Sequence, residues 1–170
     1  MDLKAYIRDI PDFPRHGILF RDISPLLKDG QAYRHAIVQL HEFATQHNVE
    51  VVVGPESRGF LFGAPLALAL GVGFVPIRKK GRLPGEVCSV EYQLEYGTDT
   101  LEMLRDSLRP GQRVLIVDDL LATGGTGLAA VQLVEQASAV VAGAAFIIEL
   151  SGLGGREKLA GHEVYSVISY

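Results

Sequence analysis

Cysteine is nearly absent from this chain. Cys88 stands alone among 170 residues, which excludes an internal disulfide and fits a reducing, cytoplasmic setting. An excess of basic charge is missing too. The formal net charge of −4 argues against a general nucleic-acid binder, which would carry a basic balance. The opening residues, MDLKAYIRDIPDF, carry charges every few positions and lack the apolar core of a signal peptide. No low-complexity tract, internal repeat or linker interrupts the chain, so residues 1–170 read as a single domain long enough to bury a core.

Charge itself is missing from one segment. GFLFGAPLALALGVGFVPI, residues 59–77, approaches membrane-spanning length. Its glycines and prolines argue otherwise. A break at Gly71 and Gly73 splits it into a buried helix and a buried parallel strand, both apolar throughout, and no membrane role is expected.

What is present alternates between strand and helix. Pro11, Pro14 and Pro25 break up residues 1–30 as an arm. Spacing predicts a helix over 31–48, with Tyr33, Ile37, Leu40 and Ala44 on one face. Strands are expected at 50–54, 73–77, 112–117, 140–148 and 163–169, and helices at 60–70, 125–136 and 156–160. Residues 78–90 read as basic and then turn-like, 90–97 as an exposed strand, and LEMLRDSL stays open between helix and strand plus turn. The pattern predicts an α/β fold with a mostly parallel central sheet flanked by helices. In such a sheet ligands lie beyond the carboxyl ends of the strands. Three polar segments converge there: GPESRG (54–59), RKKGR (78–82) and the acids Asp118 and Asp119.

The most informative stretch is VLIVDDLLATGGTG, residues 114–127. Its glycines let successive backbone N–H groups point into one concavity at a helix N-terminus, and Thr123 and Thr126 add hydroxyls, which makes a phosphate cup. A P-loop lysine is absent, and in GPESRGF Phe60 stands where that lysine would be. Adjacent acids repel unless something satisfies them, and carboxylates accept from vicinal hydroxyls, so the acid pair before the cup suits a ribose 5-phosphate. RKKGR is local positive charge on an acidic chain, suited to clamp a polyanion, and Arg58 could join it. GLGGR (152–156) reads as a turn before a short helix. His35, His41 and His47 do not share a helical face, and no metal-ligand set emerges.

At this point VLIVDDLLATGGTG resembles the phosphoribosyl-pyrophosphate (PRPP) motif of type I phosphoribosyltransferases. FPRHGILFRDISPLL (13–27), ESRGFLFGAPLA (56–67), IRKKGRLPG (77–85), LEYGTDTLE (94–102) and ELSGLGGREKLAG (149–161) extend the likeness along nearly the whole chain, toward the adenine-specific branch of that family. The resemblance implies transfer of a phosphoribosyl group from PRPP to N9 of adenine, giving AMP and pyrophosphate, with Mg2+ carried by PRPP and no metal ligand assigned on the protein. It implies that Ala122, Thr123, Gly124, Gly125 and Thr126 hold the 5-phosphate, that Asp118 and Asp119 hold the ribose hydroxyls, and that Arg58, Arg78, Lys79 and Arg82 bind pyrophosphate. Arg82 stands where the family often has lysine, which keeps the charge and changes the geometry.

The same resemblance assigns base recognition to the Leu19 carbonyl and the Arg21 N–H, with Phe20 and Leu120 sandwiching the ring. Glu95 is the candidate for the purine proton near N7, and Tyr96 for shaping the site. Residues 1–30 would form a hood contributing to the base site, residues 78–100 a flexible catalytic loop, and two copies a homodimer. Two rival readings stay open: transfer to another base such as hypoxanthine or xanthine, and a PRPP-sensing regulator on the same fold. Against the second, the residues before 50 leave no room for a helix-turn-helix.

Overall fold

The computed structural model describes residues 1–93 and 97–170. It divides into two compact units, residues 1–39 and 40–170, with the boundary inside one helix.

The N-terminal unit opens with a 3₁₀ turn, Leu3–Tyr6, and a two-stranded antiparallel ribbon of β1 (Arg8–Pro11) and β2 (Leu19–Asp22). Helix α1 (Ser24–Lys28) carries proline in its first turn, where the missing N–H costs nothing. Helix α2 (Gly30–Gln46) follows, and the Asp29 carboxylate accepts from the Gln31 and Ala32 N–H groups at its start. The buried stripe of α2 is Ala32, Ala36, Leu40 and Ala44, with Tyr33 and Ile37 at its margin. The expected face was one column too bulky, because the helix packs through small residues.

The acid of the FRDIS segment organises this unit. Asp22 is buried and lies across the ribbon from Arg8. Its Oδ1 accepts from the Ser24 hydroxyl at 2.6 Å and the Ser24 N–H at 2.9 Å, while Arg8 donates to Oδ2 through Nε at 3.0 Å and Nη2 at 2.5 Å. One carboxylate thus ties β1, β2 and the start of α1 together.

The larger unit contains β3 (Val51–Pro55), α3 (Arg58–Leu70), β4 (Gly73–Lys79), β5 (Val87–Gln93), β6 (Thr98–Leu104), β7 (Arg113–Leu121), α4 (Gly125–Gln136), β8 (Val140–Glu149), a 3₁₀ turn at Ser151–Leu153, α5 (Gly155–Lys158) and β9 (Val164–Ser169). Their sheet runs β5-β6-β4-β3-β7-β8-β9. The strands β4, β3, β7, β8 and β9 are mutually parallel, and the β5–β6 hairpin adds on antiparallel beside β4. This is the α/β, mostly parallel sheet expected from the alternating pattern. The uncharged stretch is α3 plus β4, separated by Gly71 at φ 70. No helix among the described residues is long and apolar enough to cross a membrane. Phe74 of β4 fits against Gly54 and Gly63, where a Cβ would crowd its ring at 3.1 and 2.6 Å.

Two boundaries differ from the sequence reading in ways that matter. Strand β7 does not stop at Val117. It carries Asp118 and Asp119 within the ladder, paired beside Phe146 and its neighbours, because Leu120 and Leu121 continue to pair with Ile148 and Glu149. The basic segment is not all turn, since Arg78 and Lys79 end β4 and pair with Glu102 and Leu101 of β6. LEML belongs to β6, followed by a turn. Chain order also places a switch point in the sheet. From β3 the chain moves to β4 on one side, and from β7 to β8 on the other, so the loops after β3 and β7 flank one crevice.

Ser24 donors, with Arg8 assisting, lower the Asp22 pKa from its ordinary 3.8 to about 2, against the opposing effect of burial. A depressed carboxylate stabilises the fold fully above 3.8, and the contribution is lost as pH falls toward 2. Asp22→Asn is expected to cost about 1–3 kcal/mol at pH 7 and little at pH 2, measured by urea unfolding at both. An equal loss at both pH values would assign the effect to packing.

Candidate active site

The crevice at the switch point is a cleft of about 410 Å³, and the sequence-predicted residues Arg58, Lys79, Arg82, Asp118, Asp119 and Thr126 lie on its wall. A smaller hollow of about 170 Å³ adjoins it, lined by Leu120, Ala122, Thr123, Gly124 and Gly125, and sharing Arg58, Asp118, Asp119 and Thr126. Acid pair, phosphate cup and cations therefore meet in one place. Arg78 is not among the residues lining the cleft, and its side chain pairs with Glu56. Leu19, Phe20 and Arg21 belong to β2 of the N-terminal unit. Leu19 and Arg21 are two apart on one strand, so their backbone groups address the same edge. The Phe20 ring meets Phe13 edge-on at 5.1 Å, and the Arg21 side chain pairs with Asp9. Glu95 and Tyr96 lie outside the described residues.

The cup forms where β7 ends. Gly124 takes φ 82, a left-handed conformation that favours glycine, and caps α4 with no side-chain hydrogen bond. The first turn of α4 carries no acid. Its N–H donors and the positive end of the helix dipole thus face the hollow, ready for an anion.

Two carboxylates precede these donors. Asp119 is buried and ion-pairs with Arg58 from the start of α3. The Asp118 carboxyl lies where a Cβ on Gly59 would meet it at 3.0 Å, and it accepts the Asp119 N–H at 2.8 Å. Burial first, and the adjacent Asp119 second, push the Asp118 pKa well above the ordinary carboxylate value. Burial works to lower Arg58, but Asp119 outweighs it and holds the guanidinium above its ordinary value. A group offering hydroxyl donors to this pair would replace missing water at both acids.

The opposite wall is organised by Glu56, which the sequence reading passed over. Its Oε1 accepts from the Lys79 N–H at 2.8 Å and Arg78 Nε at 3.3 Å, and its Oε2 from Arg82 Nη1 at 3.1 Å. Burial opposes its charge, yet the Lys79 N–H, Arg82 and Arg78 keep its pKa below the ordinary value. Arg78 also donates to the Arg82 carbonyl at 3.2 Å, so it braces the turn rather than facing the cleft. Lys79 Nζ pairs with Asp99 at 3.1 Å. The only sequence signal for Glu56 was an acid set between glycine-rich and basic segments.

GLGGR is indeed a turn before a short helix, but it also supports the cup. A Cβ at Gly124 would stand 2.7 Å from the Gly155 carbonyl, and one at Gly155 would collide with the Ala122 carbonyl. The backbones of the two glycine loops are in direct contact. Arg156 fixes the lower loop: it clamps Glu149 through Nε at 2.9 Å and Nη2 at 2.6 Å, and donates to the Val164 carbonyl at 2.7 Å. Nothing local in the sequence links Gly124 to Gly155. Gly155→Ala is expected to weaken ribose 5-phosphate binding about tenfold or more, by calorimetry, with far-UV circular dichroism unchanged. Wild-type affinity in that variant would show that the cup does not depend on this contact.

Comparison with known proteins agrees with this geometry. The phosphoribosyl transferase domain family matches residues 24–165. The adenine phosphoribosyltransferase of Clostridium perfringens strain SM101 is 58% identical over 170 residues, covering all of this chain and 99% of that protein. Among solved structures, the adenine phosphoribosyltransferase of Thermoanaerobacter pseudethanolicus superposes with a TM-score of 0.97 at 52% identity, over 99% of this chain and 98% of that one. The Saccharomyces cerevisiae enzyme, complexed with an imino-altritol bisphosphate and adenine, gives 0.92 at 43% identity, over 98% of this chain and 96% of that one. With the family match spanning most of the chain and the relatives spanning nearly all of it, this chain belongs to the adenine phosphoribosyltransferase branch of the phosphoribosyltransferase family.

Proposed function

We propose that this protein transfers the 5-phosphoribosyl group of PRPP to N9 of adenine, releasing pyrophosphate and forming AMP, a purine-salvage reaction. The observation that carries the reading is the meeting, in one cleft, of an acid pair, a glycine-threonine cup at a helix N-terminus and a facing group of cations. Each matches one part of PRPP: hydroxyls, 5-phosphate and diphosphate. Relatives that share the full length of the chain and carry the adenine phosphoribosyltransferase name support the choice of base.

In this reading the bond from the anomeric carbon to the diphosphate oxygen breaks while the bond to N9 forms. The transition state has oxocarbenium character. Ala122, Thr123, Gly124, Gly125 and Thr126 hold the 5-phosphate, and Asp118 and Asp119 hold the ribose hydroxyls. Arg58, Lys79 and Arg82 take the charge developing on the leaving diphosphate, with Arg78 bracing Arg82. Holding both reactants in one orientation lowers the entropic cost of reaction. Among the described residues no group of three or more His, Cys, Asp or Glu is arranged to hold a metal ion. As the family resemblance implies, magnesium carried by PRPP would neutralise diphosphate charge.

For the base, the Leu19 carbonyl accepts from the adenine amino group and the Arg21 N–H donates to N1. Phe20 and Leu120 offer apolar surface to the ring, and Glu95 takes the purine proton near N7. An oxo-purine presents the opposite pattern and leaves both backbone groups unpaired, at about 1–3 kcal/mol each. We also infer one functional domain over residues 1–170, with the 1–30 hood and the 78–100 catalytic loop assigned above, acting as a cytoplasmic homodimer.

With PRPP and magnesium, adenine is expected to turn over, and hypoxanthine, guanine and xanthine to react at least about tenfold less efficiently, followed by nucleotide and pyrophosphate release. Comparable turnover of an oxo-purine would overturn the base assignment and keep the PRPP half. Binding of PRPP without turnover of any base would point to a sensor.

A further inference from the structure

We infer that Tyr92 is a further substrate-positioning residue, whose ring walls the cleft over the phosphate cup and whose hydroxyl, through Asp99, sets Lys79 toward the diphosphate. The inference rests on the PRPP-binding reading of the cleft and names a residue that reading does not assign. Tyr92 belongs to β5, on the hairpin added at the sheet edge, and lines the main cleft with Arg58, Lys79 and Thr126. Its ring reaches the cup directly. A Cβ built on Gly125 would meet Tyr92 Cδ2 at 3.4 Å, so the first glycine of α4 faces an aromatic ring rather than open solvent. An aromatic plane at that point excludes water from the phosphate and ribose and strengthens every polar contact beneath it.

The hydroxyl has a separate task. Tyr92 and Asp99 stand opposite each other in the β5–β6 ladder. Burial works to raise the Asp99 carboxyl, but Lys79, the Thr100 N–H and the Tyr92 hydroxyl outweigh it and hold it below its ordinary value. Asp99 also accepts from the Thr100 N–H at 2.8 Å and pairs with Lys79 Nζ at 3.1 Å. Each donor that Asp99 accepts spreads its negative charge, leaving the Lys79 ammonium less committed to it. Without the Tyr92 hydroxyl, more of that charge falls on Lys79 and competes with a bound diphosphate.

Ring and hydroxyl therefore make separable predictions. Wild type, Tyr92→Phe and Tyr92→Leu are titrated by calorimetry with ribose 5-phosphate and, separately, with magnesium pyrophosphate. Tyr92→Phe should bind ribose 5-phosphate as wild type does and pyrophosphate roughly three- to tenfold more weakly. Tyr92→Leu should weaken both, ribose 5-phosphate by about fivefold or more. Adding Asp99→Asn to Tyr92→Phe removes the competing charge and should restore pyrophosphate affinity. In steady-state assays the KM for PRPP should rise in both single variants while the KM for adenine stays within about twofold.

Unchanged affinities in Tyr92→Leu, or equal losses for both ligands in Tyr92→Phe, would overturn the inference. A failed rescue would overturn the route through Asp99. The binding arms do not use a base, so a wild-type protein that binds both ligands without turning over adenine would refute the function reading and still test Tyr92.

Discussion

The ion pair between Arg58 and Asp119 is the constraint on which the site depends. A central strand of a parallel sheet carries two adjacent carboxylates inside its hydrogen-bonded ladder, next to Phe146. Left alone, their repulsion and lost hydration would oppose that strand pairing. Arg58 relieves one acid, while burial first and the neighbouring Asp119 second make the other hold its proton more tightly. This explains why α3 must begin where it does. The loop after β3 has to deliver a cation to the end of β7, and Gly59 lets that loop pass within contact of Asp118 and the Val117 carbonyl. Such an arrangement suits a molecule that brings hydroxyl donors to the acids and an anion to the cation.

Support for the site is layered by the same logic. Each cation that the proposed function assigns to the diphosphate is held by a carboxylate, Arg58 by Asp119, Arg82 by Glu56 and Lys79 by Asp99, and Glu56 holds the bracing Arg78 as well. Partnering keeps flexible side chains ordered, so less conformational entropy is lost when the anion binds. The cup is braced from below by backbone contact with Gly155, which the Glu149–Arg156 clamp holds in place.

Features legible in the sequence were those written in local order. Alternating apolar runs marked the parallel strands, and ATGGT marked the cup because glycine spacing and a following helix are local signals. The uncharged stretch from 59 to 77 resolved into α3 and β4 because glycine breaks sit inside it. What stayed hidden was set by distant pairing. Arg78 and Lys79 are strand residues only because β6 lies alongside, and that partner is about twenty residues on. Asp118 and Asp119 looked like a strand end because charge usually marks one, whereas Leu120 and Leu121 carry β7 onward beside β8. Tyr92 and Gly155 gave no local signal of their contacts, and Glu56 only that of an acid between glycine-rich and basic segments, since each makes its contacts across the fold.

In the proposed function the acid pair on β7 reads the vicinal hydroxyls of a ribose whose phosphate lies in the adjoining cup. Calorimetric binding of AMP and 2′,3′-dideoxy-AMP, to wild type and to the Asp118→Asn/Asp119→Asn double variant, tests it most directly. Wild type is expected to prefer AMP by roughly tenfold to a hundredfold, and the double variant to bind the two nearly alike. Equal affinities in wild type, or full discrimination surviving in the variant, would contradict it.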